Sequence, residues 1–78
     1  MTKETTLDKL RPDEKGKIVL IKSVSKISKR LLDMGVTKGA TIHVVKVAPL
    51  FDPIEVKVRG YNLSLRKKEA ENIVVETE

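Results

Sequence analysis

Residues 30–66 constrain the fold more than any other part of the chain, because their pattern predicts a helix end, a tight turn, a strand, a loop and a β-hairpin with almost no residues to spare between them. Within this segment the apolar residues Ile54, Val56 and Val58 alternate with the charged residues Glu55 and Lys57. A period of two residues is typical of a β-strand with one buried and one exposed face. We therefore predict a half-buried strand over residues 54–58.

A β-hairpin is predicted to follow this strand. Glycine at the first central position of a two-residue turn suits type II′, so we place Gly60 and Tyr61 at the centre of the turn. The resulting register sets Val58 opposite Leu63, and the two strands bury the same face.

The rest of the pattern predicts a series of short elements. The polar residues 1–5 are expected to be frayed, and the apolar residues 18–21 predict a first strand with both faces covered. In the predicted strand at residues 41–48 the apolar side chains change from one face to the other, which indicates either a bulge or a strand with two apolar faces. The predicted elements are a helical turn at Leu7 to Leu10, a strand at 17–24, a helix at 26–34 with Ser25 as N-cap and Gly35 after its end, a strand at 41–48, a helical turn at 67–72 and a strand at 73–76.

Five short strands and one short helix within 78 residues favour a single all-β domain, 1–78, with the architecture of an SH3-like barrel. An OB-like barrel is the main alternative, since it also has five strands.

The composition excludes several classes of function. The chain has no cysteine, so it has neither a disulfide nor a thiolate metal site, and no stretch approaches the ~18 apolar residues that span a bilayer. We expect a soluble protein that is not itself inserted in a membrane. The net charge of +5 is concentrated around Lys26, Lys29, Arg30 and Lys38, which indicates an acidic partner, nucleic acid or a solvated helix face. One Phe and one Tyr are few for stacking on bases.

No catalytic set or metal site is evident. His43 is the only histidine, and its neighbours predict a structural role. Asp33, Asp52 and Glu55 lie at no recognised ligand spacing. We therefore predict no catalytic residue, no cofactor and no resident metal.

The loop over residues 49–53, here called the 49–53 loop, is a better candidate for function. A proline at each end stiffens its backbone. Leu50 and Phe51 are adjacent on a loop, so at least one is expected to be exposed and to suit a partner. The alternative is that the loop plugs the end of the barrel. Tyr61, in the predicted turn, has the same two interpretations.

Four segments of the chain together resemble the signature of a known family. They are residues 30–35 (RLLDMG), 37–39 (TKG), 48–53 (APLFDP) and 58–65 (VRGYNLSL). The family is the ferrous iron transport protein A family (FeoA), small bacterial SH3-like proteins encoded beside a large permease, FeoB, which has a cytoplasmic GTPase domain. The resemblance extends from Leu7 to Val75. It departs at Phe51, where the family more often has a small or polar residue.

The resemblance implies a cytoplasmic accessory of ferrous iron uptake, held at the inner face of the membrane by its partner. It would dock on the cytoplasmic part of a FeoB-like permease and modulate transport or GTP hydrolysis, without being an enzyme. Nucleic-acid binding and metal sensing through His43 are the alternatives, and weak self-association is left open. Since SH3-like barrels bind through loops and the grooves between them, the candidate partner-binding residues are Leu31, Leu32, Met34, Pro49, Leu50, Phe51, Asp52, Pro53 and Tyr61.

Overall fold

The structure is a computed structural model that describes residues 3–77. Its six strands form one antiparallel sheet in the order β1-β6-β2-β3-β4-β5, so β1 and β5 are the two edges. The strands are β1 Lys3–Thr6, β2 Lys15–Ile21, β3 Thr41–Val47, β4 Ile54–Val58, β5 Tyr61–Leu65 and β6 Ile73–Thr77. The helices are α1 Lys29–Asp33 and α2 Lys67–Ala70, with 3₁₀ turns at Leu7–Lys9, Val24–Lys26 and Pro49–Phe51. The all-β class with short helices is confirmed.

One hydrophobic core lies on the inner face of this sheet. It is formed by alternate residues of β2 to β6 together with apolar residues of the connections. Its buried members are Leu7, Leu10, Ile18, Ile27, Leu31, Val36, Ala40, Ile42, Val44, Ile54, Val56, Val58, Leu63, Leu65, Ala70, Ile73 and Val75. The alternation in β4 and β5 thus predicts the buried face correctly.

The hairpin register differs from the sequence prediction. The central residues of the turn are Arg59 and Gly60, with φ of 51° and 87°, as a type I′ turn requires. Val58 therefore pairs with Tyr61 instead of Leu63. A type I′ turn matches the right-handed twist of the strands, and a slip of two residues leaves the same side chains facing the core.

The start of the chain was predicted wrongly. The segment from residue 3 to residue 6 is not frayed but forms β1, which pairs with β6 from Lys3 opposite Thr77 to Thr6 opposite Val74. Residues 1 and 2 of the predicted frayed segment lie outside the described residues. Polar side chains do not prevent pairing here, because the bonds that join β1 to the sheet come from its backbone.

The predicted helix at 26–34 is also wrong in extent. Val24–Lys26 forms a 3₁₀ turn, Ile27 is extended with φ of −102° and ψ of 132°, and α1 covers only Lys29–Asp33. Ser28, not Ser25, holds the N-cap position of α1. Gly35 follows the helix with φ of 106°, as its predicted place requires.

Two shifts in strand pairing interrupt the regular alternation of buried and exposed side chains. The pairing of β3 with β4 shifts between Val44 and Lys46, so of the two predicted alternatives the strand has the bulge, and Val45 is exposed. A second shift lies between Ile18 and Leu20 where β2 pairs with β6. Leu20 is 53% exposed, so the prediction that both faces of β2 are covered is wrong at this residue.

Candidate docking site

The 49–53 loop holds two large apolar side chains in solvent. Leu50 is 90% exposed and Phe51 is 63% exposed, so this pair does not plug the barrel. Both residues have left-handed backbone conformations, with φ of 67° and 62°. For a residue with a side chain this conformation costs roughly 1–2 kcal/mol. The loop is therefore strained at two residues whose side chains lie in solvent instead of in the core.

The base of the loop is fixed by hydrogen bonds. The Ala48 N–H donates to the Pro53 carbonyl at 3.1 Å, and the Phe51 N–H donates to the Ala48 carbonyl at 2.9 Å. The Lys67 N–H donates to the Asp52 carboxylate at 3.2 Å, which ties the loop to the start of α2. The same carboxylate oxygen lies 3.8 Å from the Arg66 guanidinium. These bonded residues, Ala48, Asp52, Pro53 and Lys67, form a frame. The strained tip of the loop, Leu50 and Phe51, projects from it.

Glu69 joins the two helices beneath this frame. One of its carboxylate oxygens accepts a hydrogen bond from the Arg66 N–H at 3.0 Å, and the other accepts one from the Ser28 N–H at 3.0 Å. A glutamate three residues after the N-cap is the spacing of a capping box, so the bond within α2 has a signal in the sequence. The bond to Ser28 has none. Neither Glu69 nor Arg66 is among the site residues that the sequence predicts.

The predicted helix end does not form a free apolar surface. Leu31 is only 2% exposed and belongs to the core, so it is not available to a partner. Leu32 and Met34 are half-buried and pack against the core. Gly35 lies directly beneath the Arg59 side chain, since a Cβ on this glycine would stand 2.5 Å from Arg59 Cδ. This end of α1 therefore lies beside the hairpin turn.

The remaining predicted residues fall into two groups at opposite ends of β4. Pro49, Asp52 and Pro53 are exposed and lie with the apolar pair at the start of the strand. Tyr61 is 55% exposed and lies opposite Val58 at its other end. Five residues of strand separate the groups by about 13 Å.

Neither a metal site nor a membrane span is found in the part of the chain that the structure describes. Residues 3–77 contain no cluster of three histidine or acidic side chains that could hold a metal ion. His43 is half-buried in β3 and pairs with Lys15 on one side and Lys57 on the other, so its cross-strand neighbours are cations. None of the described helices has the length and apolar character needed to cross a bilayer.

Comparisons with known proteins give a consistent result. The model of the FeoA domain matches residues 5–77. The chain is 40% identical over 70 residues to the Fe(2+) transport protein A/Fe(2+) transporter FeoB fusion protein of Porphyromonas gingivalis. The match covers 90% of this chain but spans only 8% of the fusion protein.

Solved structures agree with the family match. The FeoA-like protein of Clostridium acetobutylicum is 42% identical with a TM-score of 0.84, over 99% of this chain and 90% of the other. The zinc complex of FeoA from Stenotrophomonas maltophilia, described as a procaryotic SH3 domain protein, is 27% identical with a TM-score of 0.70, over 91% and 88% of the two chains. The SH3-like architecture predicted from the sequence is thereby confirmed, and the chain belongs to the FeoA family.

Proposed function

We propose that this domain is an accessory of ferrous iron uptake that docks on the cytoplasmic part of a FeoB-type permease. The fusion protein of Porphyromonas gingivalis supports the pairing, because it carries both components in one polypeptide. Docking would hold the domain at the inner face of the membrane. The observation that carries the proposal is the exposed, strained pair Leu50 and Phe51.

The pair suits the centre of a protein interface. Burial of a large apolar side chain contributes about 1.5–3 kcal/mol. The hydrogen bonds at Ala48, Asp52 and Pro53 already hold the loop backbone in place. Less conformational freedom is then lost on binding, so more of the burial energy appears as affinity.

Exposed cations lie beside the base of the loop, at the start of α2. Arg66, Lys67 and Lys68 are exposed at the start of α2, and the chain as a whole is basic. These positive charges favour approach to an acidic surface and raise the association rate at low salt. The partner surface is therefore expected to be an apolar depression with an acidic rim.

Docking can alter transport or GTP hydrolysis only if the domain binds two states of the permease with different affinity. The domain would then shift the permease toward the state that it binds more tightly. This mechanism requires no catalytic residue in the domain itself.

The test is affinity for the purified cytoplasmic portion of a FeoB-type permease from the same organism. We expect the wild-type chain to bind and Phe51→Glu to lose affinity at least about tenfold. Leu20→Glu is the matched control, because it places the same charge at another exposed apolar residue and is expected to bind as wild type. Absence of wild-type binding would contradict the proposed function. Equal binding by all three proteins would exclude the 49–53 loop as the docking surface.

A further inference from the structure

The free edge of the sheet at β5 carries hydrogen-bonding groups that nothing in residues 3–77 uses. In a hairpin with a two-residue turn the flanking residues, here Val58 and Tyr61, form a hydrogen-bonded pair. The pattern alternates along the strands, so the N–H and C=O groups of Asn62 and Ser64 point away from β4. These four groups have no hydrogen-bond partner among the described residues. Asn62 and Ser64 are both exposed, so the groups face solvent.

The two edges of the sheet differ in protection. Edge strands commonly contain charged residues, proline or a bulge, and these features prevent pairing with a strand of another chain. The edge strand β1 has the sequence KETT, and Lys3 and Glu4 supply charge of both signs. The edge strand β5 has the sequence YNLSL and has no charge and no proline, and its pairing with β4 is regular throughout. The β5 edge therefore lacks the features that prevent pairing with another strand.

This edge also connects the two groups of candidate residues. β5 begins at Tyr61 and ends at Leu65, which pairs with Ile54 directly after Pro53. A strand laid along β5 would therefore extend from the exposed tyrosine ring to the 49–53 loop. One extended segment could contact both groups, although they lie at opposite ends of β4.

Cations stand at both ends of the edge. Arg59 precedes β5, and Arg66 and Lys67 follow it, all with exposed side chains. An incoming strand with acidic residues at its ends would place them beside these cations. A second copy of β5 would not, because antiparallel pairing centred on Leu63 sets Arg59 of each copy beside Arg66 and Lys67 of the other. Like charges at such positions are destabilising.

We propose that the β5 edge binds an extended, acidic-ended segment of the partner by β-strand addition, with backbone hydrogen bonds from Asn62 and Ser64. The inference rests on the proposed function, since it specifies the chemistry of the partner segment. Main-chain bonds supply affinity in this mode of recognition, and the flanking side chains supply specificity.

Proline substitution tests the role of the backbone directly. Ser64→Pro removes the outward N–H and leaves every β4–β5 hydrogen bond in place, because that N–H does not bond to β4. Against the cytoplasmic portion of the permease, Ser64→Pro is expected to lose about tenfold in affinity or more, and Ser64→Ala to bind as wild type. Asn62→Pro with Asn62→Ala repeats the comparison if the first proline variant fails to give a folded amide spectrum. Wild-type affinity in a folded proline variant would overturn the inference and leave the proposed function standing.

A second experiment tests the β5 edge without the permease. The ¹⁵N-labelled chain is titrated with the peptide Glu-Val-Thr-Val-Glu, blocked at both ends, and with the matched peptide Lys-Val-Thr-Val-Lys. We expect saturable shifts of the Asn62 and Ser64 amide signals with the acidic peptide and much smaller shifts with the basic one. Equal shifts with both peptides, or none with either, would overturn the inference. Shifts with the acidic peptide but no binding to the permease would instead contradict the proposed function.

Discussion

The two turns that flank β4 have the same unusual backbone conformation but differ in the residues that adopt it. The 49–53 loop contains Leu50 and Phe51 at φ of 67° and 62°, and the hairpin turn contains Arg59 and Gly60 at φ of 51° and 87°. In the hairpin one of the two residues is glycine, and the turn type is the one that matches the twist of paired strands. In the loop both residues carry large side chains, and neither is buried.

The difference indicates where strain serves the fold and where it does not. The cost at the hairpin is offset within the folded chain by the regular pairing of β4 with β5, and the Arg59 side chain covers Gly35. The cost at the loop is not offset by packing of its tip. Strain that persists without a folding benefit is typical of binding sites.

The largest effect is expected in the core face next to the hairpin turn. Val58→Asp places a charge at a position with no exposed surface and no polar partner, and should lower the free energy of unfolding by several kcal/mol or unfold the domain. Lys57→Asp, on the exposed face of the same strand, should change stability by less than about 1 kcal/mol. Urea titration followed by circular dichroism measures both. Equal stability of the two variants would refute the assignment of faces in the hairpin.

The next effect concerns the frame below the 49–53 loop. Glu69→Ala removes two hydrogen bonds to backbone N–H groups of Arg66 and Ser28 and should destabilise the domain by about 2 kcal/mol. Glu71→Ala is a suitable control, because Glu71 is exposed in the same region. If Glu69→Ala and Glu71→Ala unfold at the same urea concentration, Glu69 does not connect the helices in solution.

A smaller effect is expected in the hairpin turn. Gly60→Ala adds a Cβ to a residue at φ of 87° and should cost roughly 1 kcal/mol, although nothing lies within 4 Å of the added atom. Thermal unfolding should therefore show a lower Tm. An unchanged Tm would mean that the turn is not held in the left-handed conformation.

The smallest effect has the opposite sign. Leu50→Gly relieves a left-handed residue and loses almost no burial, so after the entropic cost of glycine it should leave the domain about as stable or more stable by roughly 0.5 kcal/mol. Differential scanning calorimetry beside Gly60→Ala gives the comparison. Destabilisation by more than about 1 kcal/mol would show that the Leu50 side chain stabilises the fold, contrary to the exposure of the side chain.

The sequence predicts the faces of the strands better than their register. A period of two identifies Val56, Val58, Leu63 and Leu65 as buried, and all four are. The turn type depends on whether Arg59 accepts a positive φ, which the pattern does not specify. β1 was missed because its polar side chains give no apolar signal.

The candidate site was predictable only in part. The adjacency of Leu50 and Phe51 predicts that at least one of them is exposed, and the structure exposes both. Their left-handed backbone has no signal, since neither is a residue that favours it. The bond from Ser28 to Glu69 joins residues 41 positions apart, which local patterns do not reach. Leu31 is among the predicted partner-binding residues but lies in the core, because helical spacing alone does not distinguish a core contact from a partner contact.

The central claim, that the tip of the 49–53 loop is maintained for binding and not for folding, is tested most directly by one paired measurement on Leu50→Gly/Phe51→Gly. Its affinity for the cytoplasmic portion of the permease is measured by calorimetry beside its free energy of unfolding. We expect stability equal to or above that of wild type and an affinity lower by at least about tenfold. Wild-type affinity in this variant, or a large loss of stability, would contradict the claim.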